Sequence, residues 1–176
     1  LYTCLVRILE DETITDSEKA TFGIRDLKLD ATHGLRLNGQ TLKLRGACIH
    51  HDNGIIGACT LPRAEERRCQ QLKAAGFNCI RSSHHPMSKA MLEACDRIGM
   101  LVMDELFDCW TRPKNHNDYA QFFPDHWQFD ADRMVAKDYN HPCVIMYSTG
   151  NEIQEVCTAK GAQTSRALAS YLRSLD

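Results

Sequence analysis

The sequence predicts an α/β protein in which four β-then-α units follow one another, preceded by β structure of a different kind. From about residue 44 onward, short apolar stretches alternate with amphipathic helical segments, which is typical of a parallel α/β array. The third and fourth apolar stretches have almost no polar interruption, as expected of parallel strands buried on both faces. The chain has 176 residues, whereas a complete eight-stranded α/β barrel needs about 250, so at most part of a barrel is expected.

Residues 1–30 carry the pattern of β strands that belong to a separate domain. We place the domain boundary near residue 30, with the second domain over 31–176. A hairpin is predicted around Asn38-Gly39, because this dipeptide separates two short alternating runs. The chain begins at Leu1, without Met, inside an apolar strand-like run, and we interpret this start as a cut end.

Each of the four units is placed by its own strand and helix signals. Pro62 suits the first turn of the first helix, and Gly76 and Gly99 suit the positions that follow the first and second helices. Asp125 lies three residues before Gln128, the spacing of a capping box for the third helix. The predicted strands cover 44–49, 78–81, 100–103 and 143–147, and the predicted helices cover 62–75, 87–98, 125–140 and 163–175.

Composition excludes two classes of partner and indicates a reducing compartment. Lys and Arg total 21 against 23 Asp and Glu, a net charge of −2, and no basic run predicts a nucleic-acid partner. No apolar stretch reaches the roughly 18 residues that span a bilayer, so no membrane partner is expected. No two of the nine cysteines form a Cys-x-x-Cys pair. We interpret them as buried free thiols and expect a cytoplasmic location.

Polar residues follow every predicted parallel strand at its carboxyl end, where α/β proteins place their chemistry. A single His or Asp there is more often a cap or a solvated loop residue, but four polar ends in succession favour a functional site. A metal-dependent hydrolase remains an alternative, with His50 and Asp52 as ligands joined by His84 or His85. No dinucleotide fingerprint, P-loop, nucleophile elbow or His-Glu-x-x-His motif is present. The four polar ends are His50–Asn53, Arg81–His85, Asp104–Glu105 and Ser148–Glu152.

Five segments, in this order, resemble glycoside hydrolase family 2, which contains β-galactosidases, β-glucuronidases and β-mannosidases. The resemblance extends over about residues 22–153 and is most specific in its last segment, which is similar to the acid/base signature of that family. It implies the N-terminal half of a TIM barrel, with residues 1–30 forming the end of an immunoglobulin-like β-sandwich domain. The segments are Leu44–Asp52, Ile80–Pro86, Cys95–Met100, Met103–Glu105 and Asn140–Glu152.

The resemblance assigns roles residue by residue. It implies that Glu152 is the general acid/base, which protonates the glycosidic oxygen and then deprotonates water. Asn151 matches the residue that hydrogen-bonds the sugar 2-hydroxyl, and Arg81 matches a residue that would keep the nearby nucleophile ionised. A structural ion pair inside the barrel is the alternative for Arg81 and Asp104. The positions that line the sugar subsite are His50, His84 and Asp104.

Two departures from the family pattern bear on the site. Tyr147 stands where Trp is usual, and because an aromatic side chain is kept we expect little effect. Some β-galactosidases bind magnesium just after the third strand, but Cys109 and Thr111 fall where its ligands would be. We therefore predict no metal at this site, and no cofactor. Trp110 and Tyr119 either stack on a sugar or pack the long loop down.

The resemblance also implies that this chain lacks half of the catalytic pair. The nucleophile of the family is a Glu on the seventh barrel strand, beyond the four units predicted here, and Glu155 lies in no matching motif. We expect the parent protein to be a homo-oligomeric, retaining hydrolase of terminal β-linked sugars, with β-galactosides first and β-glucuronides next. The chain alone is expected to be inactive. The competing hypothesis is a non-catalytic module that binds sugar or serves as an interface.

Overall fold

Three separate sheets organise the chain in a computed structural model that describes all 176 residues. Strands β1 (Tyr2–Glu10) and β2 (Thr13–Phe22) form an antiparallel hairpin whose side chains are almost all exposed. A three-stranded antiparallel sheet follows, and then a four-stranded parallel sheet with its strands in chain order. The short sheet consists of β3 (Leu27–Asp30), β4 (Gly34–Leu37) and β5 (Gln40–Thr41).

The predicted hairpin turn is confirmed, but the strands beside it differ from the prediction. Asn38 and Gly39 both have positive φ, 51° and 80°, the backbone that a tight two-residue hairpin turn requires. The returning strand β5 has only two residues, so the alternating run that follows is largely outside the sheet. Because β3 pairs with β4, this sheet crosses the domain boundary that the sequence placed near residue 30.

Four βα units follow, and they confirm the predicted half of a TIM barrel. The strands pair in parallel in the order β6, β7, β8, β9, each beside its predecessor in the chain. The strands are β6 (Gly46–Ile49), β7 (Cys79–Ser82), β8 (Leu101–Glu105) and β9 (Val144–Ser148), and the helices are α1 (Pro62–Ala74), α2 (Lys89–Ile98), α3 (Phe123–Asp138) and α4 (Ala159–Leu175). No helix combines the length and the apolar character needed to cross a membrane.

Two helices begin earlier than the sequence predicted. The capping box at Asp125 does not form, because a short 3₁₀ turn capped by Asp118 runs directly into α3 at Phe123. Helix α4 begins four residues before the predicted start at 163, and the Thr158 side chain accepts a hydrogen bond from the Gly161 N–H there. The start of α4 is set by the Thr158 cap, whereas α3 begins without a side-chain cap, directly after the 3₁₀ turn.

The strand register divides the parallel sheet into two faces. Cys48, Arg81 and Met103 are register partners on neighbouring strands, so their side chains point to the same, barrel-facing side. Ile80 and Val102 point to the opposite side, where the sheet packs against the helices. This helix-facing core is mainly apolar, and a cluster of charged side chains lies on the barrel-facing side near the carboxyl ends of the strands. The functional residues must therefore be sought on the barrel-facing side of those ends.

Candidate active site

A fully buried carboxylate at the end of β8, Glu105, is the centre of the polar cluster on the barrel-facing side. Arg81 donates to its Oε2 from Nε at 2.9 Å and from Nη2 at 2.7 Å. Ser148 Oγ donates to the same oxygen at 2.7 Å, and His84 Nδ1 lies 2.8 Å from Oε1. Three side chains from β7, β9 and the loop after β7 therefore satisfy one buried charge, as a buried carboxylate requires.

Asn151 extends this cluster from β8 to the loop after β9. Its Oδ1 accepts a hydrogen bond from Arg81 Nη2 at 2.9 Å, and its Nδ2 donates to Asp108 Oδ1 at 2.8 Å. Its backbone N–H also donates to the Phe107 carbonyl at 2.9 Å. An amide has two N–H donors, so one N–H of Asn151 remains for a ligand.

Glu152 follows Asn151 at the rim, and its side chain is exposed and forms no hydrogen bond. Its φ is +42°, a left-handed conformation that is uncommon for a residue with a Cβ. On either side of it, Asn151 and Ile153 are buried. The backbone therefore holds Glu152 between two anchored residues and presents its carboxylate to solvent beside the cluster.

Most of the residues singled out in the sequence meet at this rim. The exposed ring of His50 lies edge-on to the ring of His84, with the ring centroids 5.2 Å apart. His84 and Arg81 are both partners of Glu105, and Arg81 is also a partner of Asn151. The four strand ends thus bring His50, Arg81, His84 and Asn151 together, with Glu152 next to them in the chain.

Asp104 does not belong to this group, and its predicted place in the sugar subsite is corrected by the structure. Its side chain points to the helix side of the sheet and is fully buried. There it accepts the Met87 N–H at 2.7 Å, and Lys137 Nζ lies 3.2 Å from its other oxygen. Successive residues of a strand face opposite ways, so only one carboxylate of the pair Asp104–Glu105 can face the barrel. That carboxylate is Glu105.

The histidines at the rim are divided between separate partners, which leaves no shared set of metal ligands there. His51 turns toward α2, where its Nε2 accepts the Ser88 N–H at 3.2 Å, while His84 is paired with Glu105. The three side chains whose donor atoms lie within 4.8 Å of one another are Asp96, His141 and Cys143, close to the start of β9 rather than at the rim. Both oxygens of that aspartate already accept N–H groups, from the histidine ring and from the cysteine backbone.

The long loop between β8 and α3 is packed down by its aromatic residues. Trp110 is buried, and its Nε1 donates to the Thr149 carbonyl at 2.9 Å. Tyr119 stacks on Phe107, with the ring centroids 5.5 Å apart. Of the two alternatives for Trp110, the structure therefore selects loop packing over a sugar platform.

Sequence reasoning placed Glu105 and Ser148 in the polar strand ends but gave them no role, and it did not single out Asp108 or Lys114. Lys114 Nζ lies 2.8 Å from both Asp108 Oδ1 and the Asn151 carbonyl oxygen. The acidic pair at the end of β8 indicates that one of its two carboxylates faces the barrel, because successive strand residues face opposite ways, but it does not indicate which one. Lys114 had no such signal, since it lies 37 residues from Asn151 in a polar loop.

Comparison with known proteins gives one consistent result. A model described as glycosyl hydrolases family 2, TIM barrel domain, matches residues 29–176. The β-galactosidase BoGH2A of Bacteroides ovatus is 42% identical over 164 residues, which cover 93% of this chain and 19% of that protein. A putative β-glucuronidase of Formosa agariphila is 37% identical over 153 residues, covering 86% of this chain and 15% of that protein.

Solved structures give the same result for the fold. A glycosyl hydrolase family 2 member from Bacteroides cellulosilyticus superimposes with a TM-score of 0.94 and 49% identity, over 99% of this chain and 22% of that chain. A β-glycosidase from Bacteroides vulgatus superimposes with a TM-score of 0.91 and 35% identity, over 99% and 22% of the two chains. The chain thus spans about a fifth of the length of the proteins it resembles.

Proposed function

Because the chain belongs to glycosyl hydrolase family 2, we propose that the longer protein containing it is a glycosidase that cleaves terminal β-linked sugars with retention of configuration. The observation that carries this proposal is the linkage of Glu105, Arg81 and Asn151 directly beside Glu152 at the carboxyl ends of four parallel strands. A buried, fully hydrogen-bonded cluster next to an unpaired carboxylate is the arrangement expected of a fixed binding site beside a proton donor.

In this proposal Glu152 is the general acid/base. Its carboxyl group protonates the leaving oxygen as the glycosidic bond breaks, and its carboxylate then removes a proton from the attacking water. Asn151 offers its remaining N–H to the sugar 2-hydroxyl, a contact that strengthens as positive charge develops on the sugar ring. Arg81 and Asp108 fix the orientation of this amide, since each bonds a different end of it.

The second carboxylate is proposed to come from outside this chain. A retaining glycosidase needs two carboxyl groups about 5–5.5 Å apart, one of them acting as the nucleophile. Glu105 cannot serve, because Arg81, Ser148 and His84 already occupy it and no part of it is exposed. Glu155 is likewise buried, against the loop after β8. The isolated chain is therefore expected to be inactive.

A β-galactoside is the first substrate to test and a β-glucuronide the second. BoGH2A, named as a β-galactosidase, has the higher identity of the two curated relatives described, and the second is named as a putative β-glucuronidase. We also propose a reducing, cytoplasmic setting and a homo-oligomeric parent protein. All nine cysteines are free thiols, but only five are buried as expected and four are exposed. No disulfide joins Cys69 to Cys95, whose sulfur atoms lie 3.9 Å apart.

The proposal is tested by comparing the longer protein with residues 1–176 on nitrophenyl β-galactoside and β-glucuronide. We expect turnover by the longer protein and none by the short chain, because only the former supplies a nucleophile. The anomer released first is identified by proton NMR and should be β. Release of the α anomer would contradict retention. Failure of the longer protein to hydrolyse any β-glycoside, together with sugar binding, would favour the non-catalytic module.

A further inference from the structure

The loop between β8 and α3 places one lysine, Lys114, against the backbone of the proposed acid/base. Its side chain is only 16% exposed, and its Nζ lies 2.8 Å from the Asn151 carbonyl oxygen. The same Nζ lies 2.8 Å from Asp108 Oδ1, the oxygen that also accepts the Asn151 side-chain amide. One ammonium group therefore contacts the backbone of Asn151 and the partner of its side chain.

The carbonyl that Lys114 binds belongs to the peptide bond that joins Asn151 to Glu152. The φ angle of Glu152 describes how this peptide plane is rotated about the N–Cα bond relative to the rest of Glu152. That angle is +42°, in a region that L-residues occupy only when their surroundings hold them there. A hydrogen bond from a charged donor is about twice as strong as a neutral one, so Lys114 is well suited to hold the plane.

The loop that carries Lys114 is itself fixed at both ends. The backbone N–H groups of Lys114 and Asn115 donate to Asp118 Oδ2 at 2.6 and 3.0 Å. Upstream, the Thr111 N–H donates to the buried carboxylate of Glu155 at 2.9 Å. Lys114 is thus presented from a rigid loop, so its ammonium position is determined before substrate binds.

The Lys114 ammonium also lowers the pKa of its neighbour, Asp108. Burial alone would raise the pKa of Asp108, but hydrogen bonds from Lys114 and Asn151 outweigh burial and leave that pKa below its ordinary value. Asp108 therefore stays ionised and remains an acceptor for the Asn151 amide.

We propose that Lys114 is a positioning residue of the glycosidase, whose ammonium fixes the Asn151–Glu152 peptide and so aims the acid/base carboxyl at the leaving oxygen. This inference rests on the proposed function. It adds a residue that touches neither substrate nor the reacting atoms. It predicts that removing the Lys114 ammonium impairs proton donation more than sugar binding.

The test uses Lys114→Met in the longer enzyme, with Lys160→Met as the matched control. Lys160 is an exposed lysine at the start of α4 and has no ion-pair partner. Activity is measured on a dinitrophenyl glycoside, whose leaving group needs no proton, and on a methyl glycoside, whose leaving group does. We expect kcat/KM, which reports the bond-cleavage step, to fall about 100-fold on the methyl glycoside and less than about 5-fold on the dinitrophenyl glycoside. Lys114→Arg should restore part of the loss, and the control should match the wild type.

Equal losses on the two glycosides, or no loss at all, would overturn the inference, since a merely structural lysine has no reason to distinguish leaving groups. Should Lys114→Met fail to fold by thermal unfolding, Lys114→Gln is measured in its place, and the same split supports the inference while its absence overturns it. A wild-type enzyme that hydrolyses neither glycoside would overturn the proposed function and this inference together. If the wild type is active but the variant loses the same activity on both glycosides, only the inference about Lys114 is overturned.

Discussion

The two buried carboxylates at the end of β8 lie on opposite faces of the sheet and bind different groups. Glu105 faces the barrel and is bound by Arg81, which also holds the amide of Asn151. Asp104 faces the helices and accepts the Met87 N–H. Both are fully buried and both are paired with a cation. Burial and charge therefore do not distinguish a site residue from a structural one, whereas the direction of the side chain does.

The buried acids on the helix-facing side are less completely paired than the buried acid on the barrel-facing side. Lys137 is shared between Asp104 and Asp138, and one oxygen of Asp138 is buried without a partner. Burial and the neighbouring charge of Asp104 raise the pKa of Asp138 to about 8. Two acidic groups thus share one cation on this face, and Asp138 keeps its proton below about pH 8. On the barrel-facing side, Glu105 receives donors from Arg81 and Ser148 and is not opposed by a second buried acid.

The largest expected difference between the faces concerns activity. In the longer enzyme, Glu105→Gln should lower kcat/KM roughly 100-fold, or about 2.7 kcal/mol, because Arg81 loses the anion that orients it toward Asn151. Asp104→Asn keeps an oxygen to accept the Met87 N–H, so it should lower stability by about 1–3 kcal/mol and leave kcat/KM within about 3-fold. Steady-state kinetics and thermal unfolding of both variants check this. If both variants lowered kcat/KM equally, the two faces would not differ in their importance for activity.

The second difference concerns pH. Folded Asp138 keeps its proton up to about pH 8, whereas the unfolded carboxyl loses it near 3.8, so between these values the folded state binds more protons. Stability should therefore decline as pH rises through this window, by less than about 1.4 kcal/mol per pH unit. Asp138→Asn removes this decline, so its thermal midpoint relative to wild type should rise steadily from pH 5 to pH 8. A constant offset across that range would contradict the account.

The smallest expected effect concerns another buried carboxylate, Glu155, whose side chain contacts only a loop. Glu155 Oε1 accepts the Thr111 hydroxyl at 2.7 Å and the Arg112 N–H at 2.8 Å, while its Oε2 has no partner. Glu155→Gln places an amide N–H in that unpartnered position and removes the charge. Amide exchange at Thr111 and Arg112 should quicken about 10-fold, with kcat/KM changed less than about 3-fold. Unchanged exchange would show that the loop is held by other contacts.

Much of the fold was predictable because local signals and the global architecture agree. Gly99 takes the left-handed φ of 76° that ends α2, and Pro62 lies in the first turn of α1. The start of α3 was missed because the helix has no side-chain cap and follows directly from a 3₁₀ turn capped by Asp118, upstream of any helical periodicity. The rim itself was predictable, since parallel strands bring their carboxyl ends to one edge.

The identity of the buried acid in the site was not predictable from the sequence. Strand β8 is apolar before its acidic pair, so no alternation marks which residue faces the barrel. The register between β8 and β9 also shifts between Val102 and Met103, so counting along the apolar run does not settle which residues align with β9. Lys114 was out of reach for a different reason. Its role depends on a contact with Asn151 that only the packed loop creates.

The central claim is that Glu152 is the proton donor of a glycosidase site built on Glu105, Arg81 and Asn151. The direct measurement is the kcat/KM of Glu152→Gln in the longer enzyme on a dinitrophenyl and a methyl β-galactoside. We expect a loss of about 100- to 10,000-fold on the methyl glycoside and a far smaller loss on the dinitrophenyl glycoside, because only the methyl leaving group needs an acid. Equal losses on both glycosides would contradict the assignment of Glu152 as the acid.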